Sequence, residues 1–311
     1  MKRVMHNRVV LQLVIACAVA SSAAAKVSAQ SCGSDQSCGS DSACVSNVPR
    51  SLFFAGAGAG LAVVGSGEQS VTNTGISNFF EGEVLFSTGT ATGPPVRPTL
   101  NAKSDFVPLV QLGYFQHFGD SAWLWGVKGS YSYQDKTLAK DNLIIPQFGT
   151  TSDPSLPTFP GFSVTRSYEV FMDHQMTLVP FVGRSFKNSF VYAGAGPSLS
   201  RVGASLNDVV GFANIPRLGG LADISGRPQS DAQTQWAFGI AASVGVTYFI
   251  TPSWFLDLSY SFSHPFPHTF HVEGPFRNDA FSPIVLTGTL IGDYTARVNT
   301  HSITVSLNFG F

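Results

Sequence analysis

The last nine residues, Ile303-Thr304-Val305-Ser306-Leu307-Asn308-Phe309-Gly310-Phe311, put a large apolar side chain at every odd position and a small or polar one at every even position. Side chains alternate between the two faces of a strand, so this segment carries one oily face and one polar face. Seven further segments repeat the alternation, at 52–64, 106–118, 122–133, 170–185, 189–201, 235–250 and 253–263. Each is long enough to cross a bilayer as a tilted strand, which takes about 9–11 residues.

The connections alternate too. Gly119-Asp120-Ser121, Phe186-Lys187-Asn188 and Thr251-Pro252 are tight links made of residues that tolerate turn dihedrals or stop a ladder. The other four, 65–105, 134–169, 202–234 and 264–300, run about 30 to 40 residues each and are rich in Gly, Pro, Ser, Thr, Asn and Asp. Loops that long and structureless are out of place in a compact soluble domain. Short turns at one end and long loops at the other are the pattern of bacterial membrane barrels. The fold expected is therefore all-β: an eight-stranded antiparallel transmembrane up-and-down barrel, residues 51–311, with short periplasmic turns and four long outer loops. Hydrocarbon offers backbone amides no partner, so the last strand must pair with the first.

The N-terminus gives the compartment. Lys2, Arg3 and Arg8 precede an apolar run to Ala25, and Val27-Ser28-Ala29 supplies small residues for cleavage. Residues 1–29 read as a secretory signal peptide. Residues 30–50 form a Cys/Gly/Ser-rich leader with Cys32, Cys38 and Cys44 six residues apart. An oxidising compartment and three cysteines leave one odd. The readings open are a flexible Gly/Ser tether with one incidental disulfide, a small disulfide loop, intermolecular pairing, and metal binding; the last lacks a nearby fourth ligand.

Composition excludes other classes. Charged residues are 12% of the chain, about half the usual share. Beyond the signal peptide nothing approaches the ~20 continuous apolar residues of a membrane helix. A net charge of −1 without a basic patch excludes a nucleic-acid partner.

Alternation assigns the faces. Phe53, Leu61 and Val63 face lipid, with Gly56, Gly58 and Gly60 inside; Trp236, Phe238 and Ile240 face lipid, over Gly239 and Ala241. In segments 106–118, 170–185 and 189–201 the pattern does not decide between two registers. Trp123, Trp125, Trp236 and Trp254 fall at strand ends, where interfacial aromatic girdles sit. Gln111, Lys128, Asp173 and Asp257 are the polar cluster expected in the lumen. Eight strands leave an interior only wide enough for side chains, and a buried charge needs a partner, so Lys128 is expected to contact Asp257 or Asp173.

These features resemble the small outer-membrane barrels of the opacity, OmpA and OmpX kind over residues 50–311. The ending at Phe309 and Phe311 resembles the signal read by the barrel-assembly machinery. The resemblance implies a surface-exposed barrel in the cell outer membrane, used for adhesion, envelope integrity or slight permeability. Outer-membrane lipids and lipopolysaccharide are its expected partners. Arg97, Arg166, Arg201, Arg217, Arg227, Arg277 and Arg297 beside the outer loops are candidates to bridge lipopolysaccharide phosphates. With the last strand ending at Phe311, a peptidoglycan-anchoring domain like that of OmpA-type proteins is not expected, and the long loops shift weight toward binding an unidentified surface partner.

Catalytic chemistry needs a nucleophile, a base and an orienting group together. His117, His174 with Glu169, and His301-Ser302 are the candidates, and none assembles such a set from spacing. His264, His268 and His271 are spread by Pro265 and Pro267 and read as solvated. No cofactor, metal or enzymatic activity is expected. The competing function is a narrow porin-like channel for small solutes or ions.

Overall fold

The computed structural model describes residues 48–155, 158–216 and 219–311. The signal peptide, most of the leader with its cysteines, and Arg217 lie outside them. Among the described residues there are thirteen strands: β1 Ser51–Ser66, β2 Val71–Glu81, β3 Val84–Thr92, β4 Lys103–His117, β5 Trp123–Thr151, β6 Thr158–Ser185, β7 Ser189–Ile215, β8 Gly220–Asp223, β9 Gln229–Phe249, β10 Trp254–Pro265, β11 His268–Phe281, β12 Ile284–Ala296 and β13 Val298–Gly310.

Eight of them pair in a closed antiparallel circuit: β1, β4, β5, β6, β7, β9, β10, β13 and back to β1. These are the eight alternating segments of the sequence. The first strand meets the last with Ala57 opposite Leu307 and Gly58 opposite Ser306. The glycines are required there: a Cβ on Gly58 would strike the Val305 carbonyl oxygen and sit 2.6 Å from Ser306 Cα. The tight links are hairpin turns. Phe118 N donates to Trp123 O (2.9 Å) across Gly119, whose φ of +55° suits glycine.

The four long connections are not loops, and this corrects the sequence-based expectation. β5, β6, β7 and β9 run well past the points where the oily outer face stops, and β2, β3, β11 and β12 join them as β11-β12-β2-β3-β5. The physical reason lies in the surroundings. Beyond the lipid-facing band a strand needs no apolar exterior, so Val71-Thr72-Asn73-Thr74-Gly75 is a strand without an oily face. Bulges at Tyr133/Lys136, Met172/His174 and Leu206/Val209 further shift the parity.

Candidate functional site

The interior is filled in layers. Nearest the tight turns, Phe54, Phe115, Phe181, Phe190, Phe249 and Phe255 close it with buried rings. Phe249 and Phe255 lie 4.9 Å apart between centroids, Phe115 and Phe190 5.1 Å. Inward-facing glycines make room for them: a Cβ on Gly113 would sit 2.5 Å from Phe54 Cζ.

The polar layer follows. Lys128 Nζ, on β5, donates to Asp257 Oδ2 on β10 at 3.2 Å, and the two side chains are 7% and 4% exposed. Lys128 also donates to the Tyr192 hydroxyl, which in turn donates to the Asp257 carboxylate (3.0 Å). Thr247 adds a donor at 3.3 Å and Gln111 Nε2 one at 3.4 Å. Gln111 reaches Ser306 Oγ (2.8 Å) and Asn308 Oδ1 (2.7 Å) as well. A buried ion pair repays its desolvation only when the remaining lone pairs are satisfied; here the carboxylate has Lys128, Tyr192, Thr247 and Gln111.

The structure thus brings Lys128, Asp257 and Gln111 together and leaves Asp173 out. Its place in the lumen is corrected by the bulge between Met172 and His174, which inserts one residue and turns Asp173 toward Arg201 Nη1 at 3.0 Å. Tyr192 and Asn308 complete the cluster and were missed. Asn308 could have been found on the inner register of the last strand, whereas Phe190-Val191-Tyr192-Ala193 is apolar on both parities and hides Tyr192.

Above the ion pair, a cavity of about 40 Å³ is lined by Ser130, Ser132, Gln134, Ser243, Ser261 and other hydroxyl or amide side chains. Gln134 Oε1 and Ser263 Oγ, which border it, have no protein partner. That is room for a few waters. Next comes an apolar core with Leu138, Ile145, Tyr168, Val170, Met172, Leu206 and Tyr294, and at the far end a smaller one around Phe79, Phe159, Phe276 and Leu286. Burial pushes the Tyr168 and Tyr294 phenols well above the ordinary tyrosine range, Tyr294 with the Asp231 carboxylate adding to the effect.

The exterior carries a continuous exposed apolar band. At its turn end Phe53 packs on Tyr114 (4.5 Å), Tyr114 on Trp125 (5.9 Å) and Trp254 on Phe309 (5.1 Å); Trp123 and Phe311 are exposed beside them. At the other limit His174 stacks on Trp236 (6.1 Å) and Tyr260 meets His301 Nδ1 (2.8 Å). Trp236 lies inside β9, not at its end, because that strand continues outward to Gln229.

Each imidazole in question has a plain partner. His174 Nδ1 pairs with the Tyr131 hydroxyl (2.8 Å) while its Nε2 faces Asp173 Oδ2 at 3.9 Å, and His117 sits between Arg50 O and Ser185 Oγ (3.0 Å) with no carboxylate behind it among the described residues. His271 binds Asp293 (2.7 Å), while His268 packs on Phe270.

A family model described as the outer membrane protein beta-barrel domain matches residues 54–311. No curated protein matches the sequence. Among solved structures the chain is similar to the outer membrane protein OprG of Pseudomonas aeruginosa, at 10% identity over 86% of this chain and 99% of that one (TM-score 0.35). It is also similar to Neisserial surface protein A, at 14% identity over 83% and 97% (TM-score 0.32). A third is Ail, the attachment invasion locus protein of Yersinia pestis, at 13% over 80% and 99% (TM-score 0.24).

Proposed function

The chain belongs to the outer membrane protein beta-barrel domain family, and from that premise we propose that it is a closed, non-conducting eight-stranded barrel whose extended far end is an interaction surface on the cell exterior. The single observation that carries this reading is the filled interior: aromatic rings, a sealed ion pair and two apolar cores are stacked along one axis. A narrow solute channel, the competing reading, has to displace all of them, and the cavity between them holds only about 40 Å³.

The apolar band has the right height. Trp236 and Tyr248 are twelve residues apart on β9, which at about 3.3 Å per residue and a tilt of about 45° gives about 28 Å. That matches a hydrocarbon core of about 30 Å. The tight turns and both chain ends then face the periplasm after export by a cleaved signal peptide, and β2, β3, β11 and β12 stand outside. In this arrangement Trp123, Trp125, Trp254 and Phe311 form the inner girdle, and Trp236 with His174 and Tyr260 the outer one. Arg201, beside His174, is placed to meet lipopolysaccharide phosphates. The exposed Phe309 of β13 and Phe311 just after it are the features offered to the barrel-assembly machinery.

A non-enzymatic role fits the imidazoles: His174 lies between the Tyr131 phenol and Asp173, and no imidazole has a serine, threonine or cysteine on one ring nitrogen and a carboxylate on the other among the described residues. Orientation is tested with single cysteines at Asp279 and at Lys187, in a background lacking the leader cysteines. A membrane-impermeant maleimide added to intact cells should label the first and spare the second. Labelling of Lys187→Cys alone would reverse the topology and end the surface reading.

A further inference from the structure

Beyond the lipid-facing band the far-end strands follow the order β11-β12-β2-β3-β5-β6-β7-β9. That sequence of pairings begins at β11 and ends at β9 with no ladder between the two. Side chains join them instead: Gln229 Nε2 donates to Pro275 O (2.9 Å) and Gln233 Nε2 to His271 O (3.0 Å). A sheet edge left unpaired by a neighbouring strand is a place where another molecule can enter.

A cavity of about 150 Å³ lies at this seam. Half of its wall is hydrocarbon, from Val209, Leu290 and their neighbours. The polar half consists of acceptors. Asp231 takes hydrogen bonds from Tyr294 (2.7 Å) and Gln233 (3.1 Å) on Oδ2, and its Oδ1 has no donor among the described residues. Asn73 is 2% exposed and donates its Nδ2 to Ser163 Oγ (2.9 Å), and its Oδ1 has no protein donor among the described residues. Gln229 Oε1 is likewise free once Nε2 is bound to Pro275. Glu273 stands exposed at the rim with no ion-pair or hydrogen-bond partner among the described residues. Neither Lys nor Arg lines the cavity.

We propose that the β9–β11 seam is a binding site for a small organic ammonium ion with a compact apolar tail. The chemistry follows from the lining. Carbonyl and carboxylate oxygens that lack a protein donor favour a ligand donor that carries positive charge. The apolar wall calls for hydrocarbon beside it, and a bare cation would leave that wall unused. A cavity of about 150 Å³ has room for a benzene-sized molecule. Tyr294 and Gln233 hold the Asp231 carboxylate in place, so the anion is oriented before the ligand arrives. Access is from the far-end exterior, because the apolar core around Leu138 and Met172 closes the other direction.

Benzylammonium chloride is the probe, titrated calorimetrically into the refolded full chain in detergent micelles, with benzyl alcohol as the neutral isostere. Saturable one-to-one binding is expected, at least about tenfold tighter than benzyl alcohol. Two variants at exposed positions leave the core untouched. Glu273→Gln should weaken binding several-fold, and Ser230→Lys, which puts a tethered ammonium at the mouth, should abolish it. Heats identical in wild type and both variants would mean partition into the micelle and overturn the proposal. So would equal binding of benzyl alcohol, or saturable calcium binding that benzylammonium does not displace.

Discussion

Lys128 Nζ lies 3.2 Å from Asp257 Oδ2 across the interior, from β5 to β10, with both groups buried between the aromatic rings below and the small polar cavity above, beyond which the packed core begins. Removing either partner strands the other as a buried charge. Lys128→Ala is expected to lower the unfolding free energy in vesicles by about 3–5 kcal/mol. The double replacement Lys128→Met with Asp257→Leu should cost less than either single change, since no charge is left behind. Urea titration followed by tryptophan fluorescence measures all three.

Phe115 is fully buried between Phe190 and Phe249. Phe115→Ala should destabilise the barrel by about 3–5 kcal/mol through the cavity it leaves. It should open no path, because the ion pair and the next core remain. The same urea titration, together with a dye-release assay on loaded vesicles, checks both halves.

Closure of β1 on β13 depends on Gly56, Gly58 and Gly60, whose missing side chains let the neighbouring backbone approach. Gly58→Ala should impose overpacking of about 1–3 kcal/mol. Its readout is the gel shift between unboiled and boiled samples: a smaller heat-modifiable fraction than wild type is expected, and an unchanged one would mean that this seam has slack.

The far end should be sensitive to alkali. Burial raises the Tyr168 and Tyr294 phenols above the ordinary range, so the folded state holds these protons more tightly than the unfolded chain does. Their contribution is whole below the unfolded value of about 10 and is lost as pH rises through the folded values. Amide exchange in β11 and β12, compared at matched intrinsic rates, should accelerate above about pH 10. The double variant Tyr168→Phe with Tyr294→Phe should show a weaker dependence.

The sequence was legible where lipid imposed a rule and opaque where water relaxed it. Trp254, Leu256, Leu258 and Tyr260 alternate with Phe255, Asp257 and Ser259, so β10 was readable residue by residue. Residues 134–169 carry Lys140, Asp141 and Arg166 on the outside, and water accepts these as readily as it accepts a loop, so the long arms of β5 and β6 were hidden. The Lys128–Asp257 contact followed from the need to pair a buried charge. Asp173 did not, because a bulge is a one-residue event with no compositional trace. The aromatic layer was visible in principle: Phe54, Phe249 and Phe255 occupy inner-register positions on strands whose other inner residues are mostly Gly, Ala, Ser or Thr.

Single-channel recording of the refolded protein in planar bilayers tests the filled interior most directly. Membranes that contain heat-modifiable protein should stay at baseline, with and without Lys128→Ala. Uniform, long-lived conductance steps that change with that substitution would contradict a sealed barrel and make the lumen a pathway.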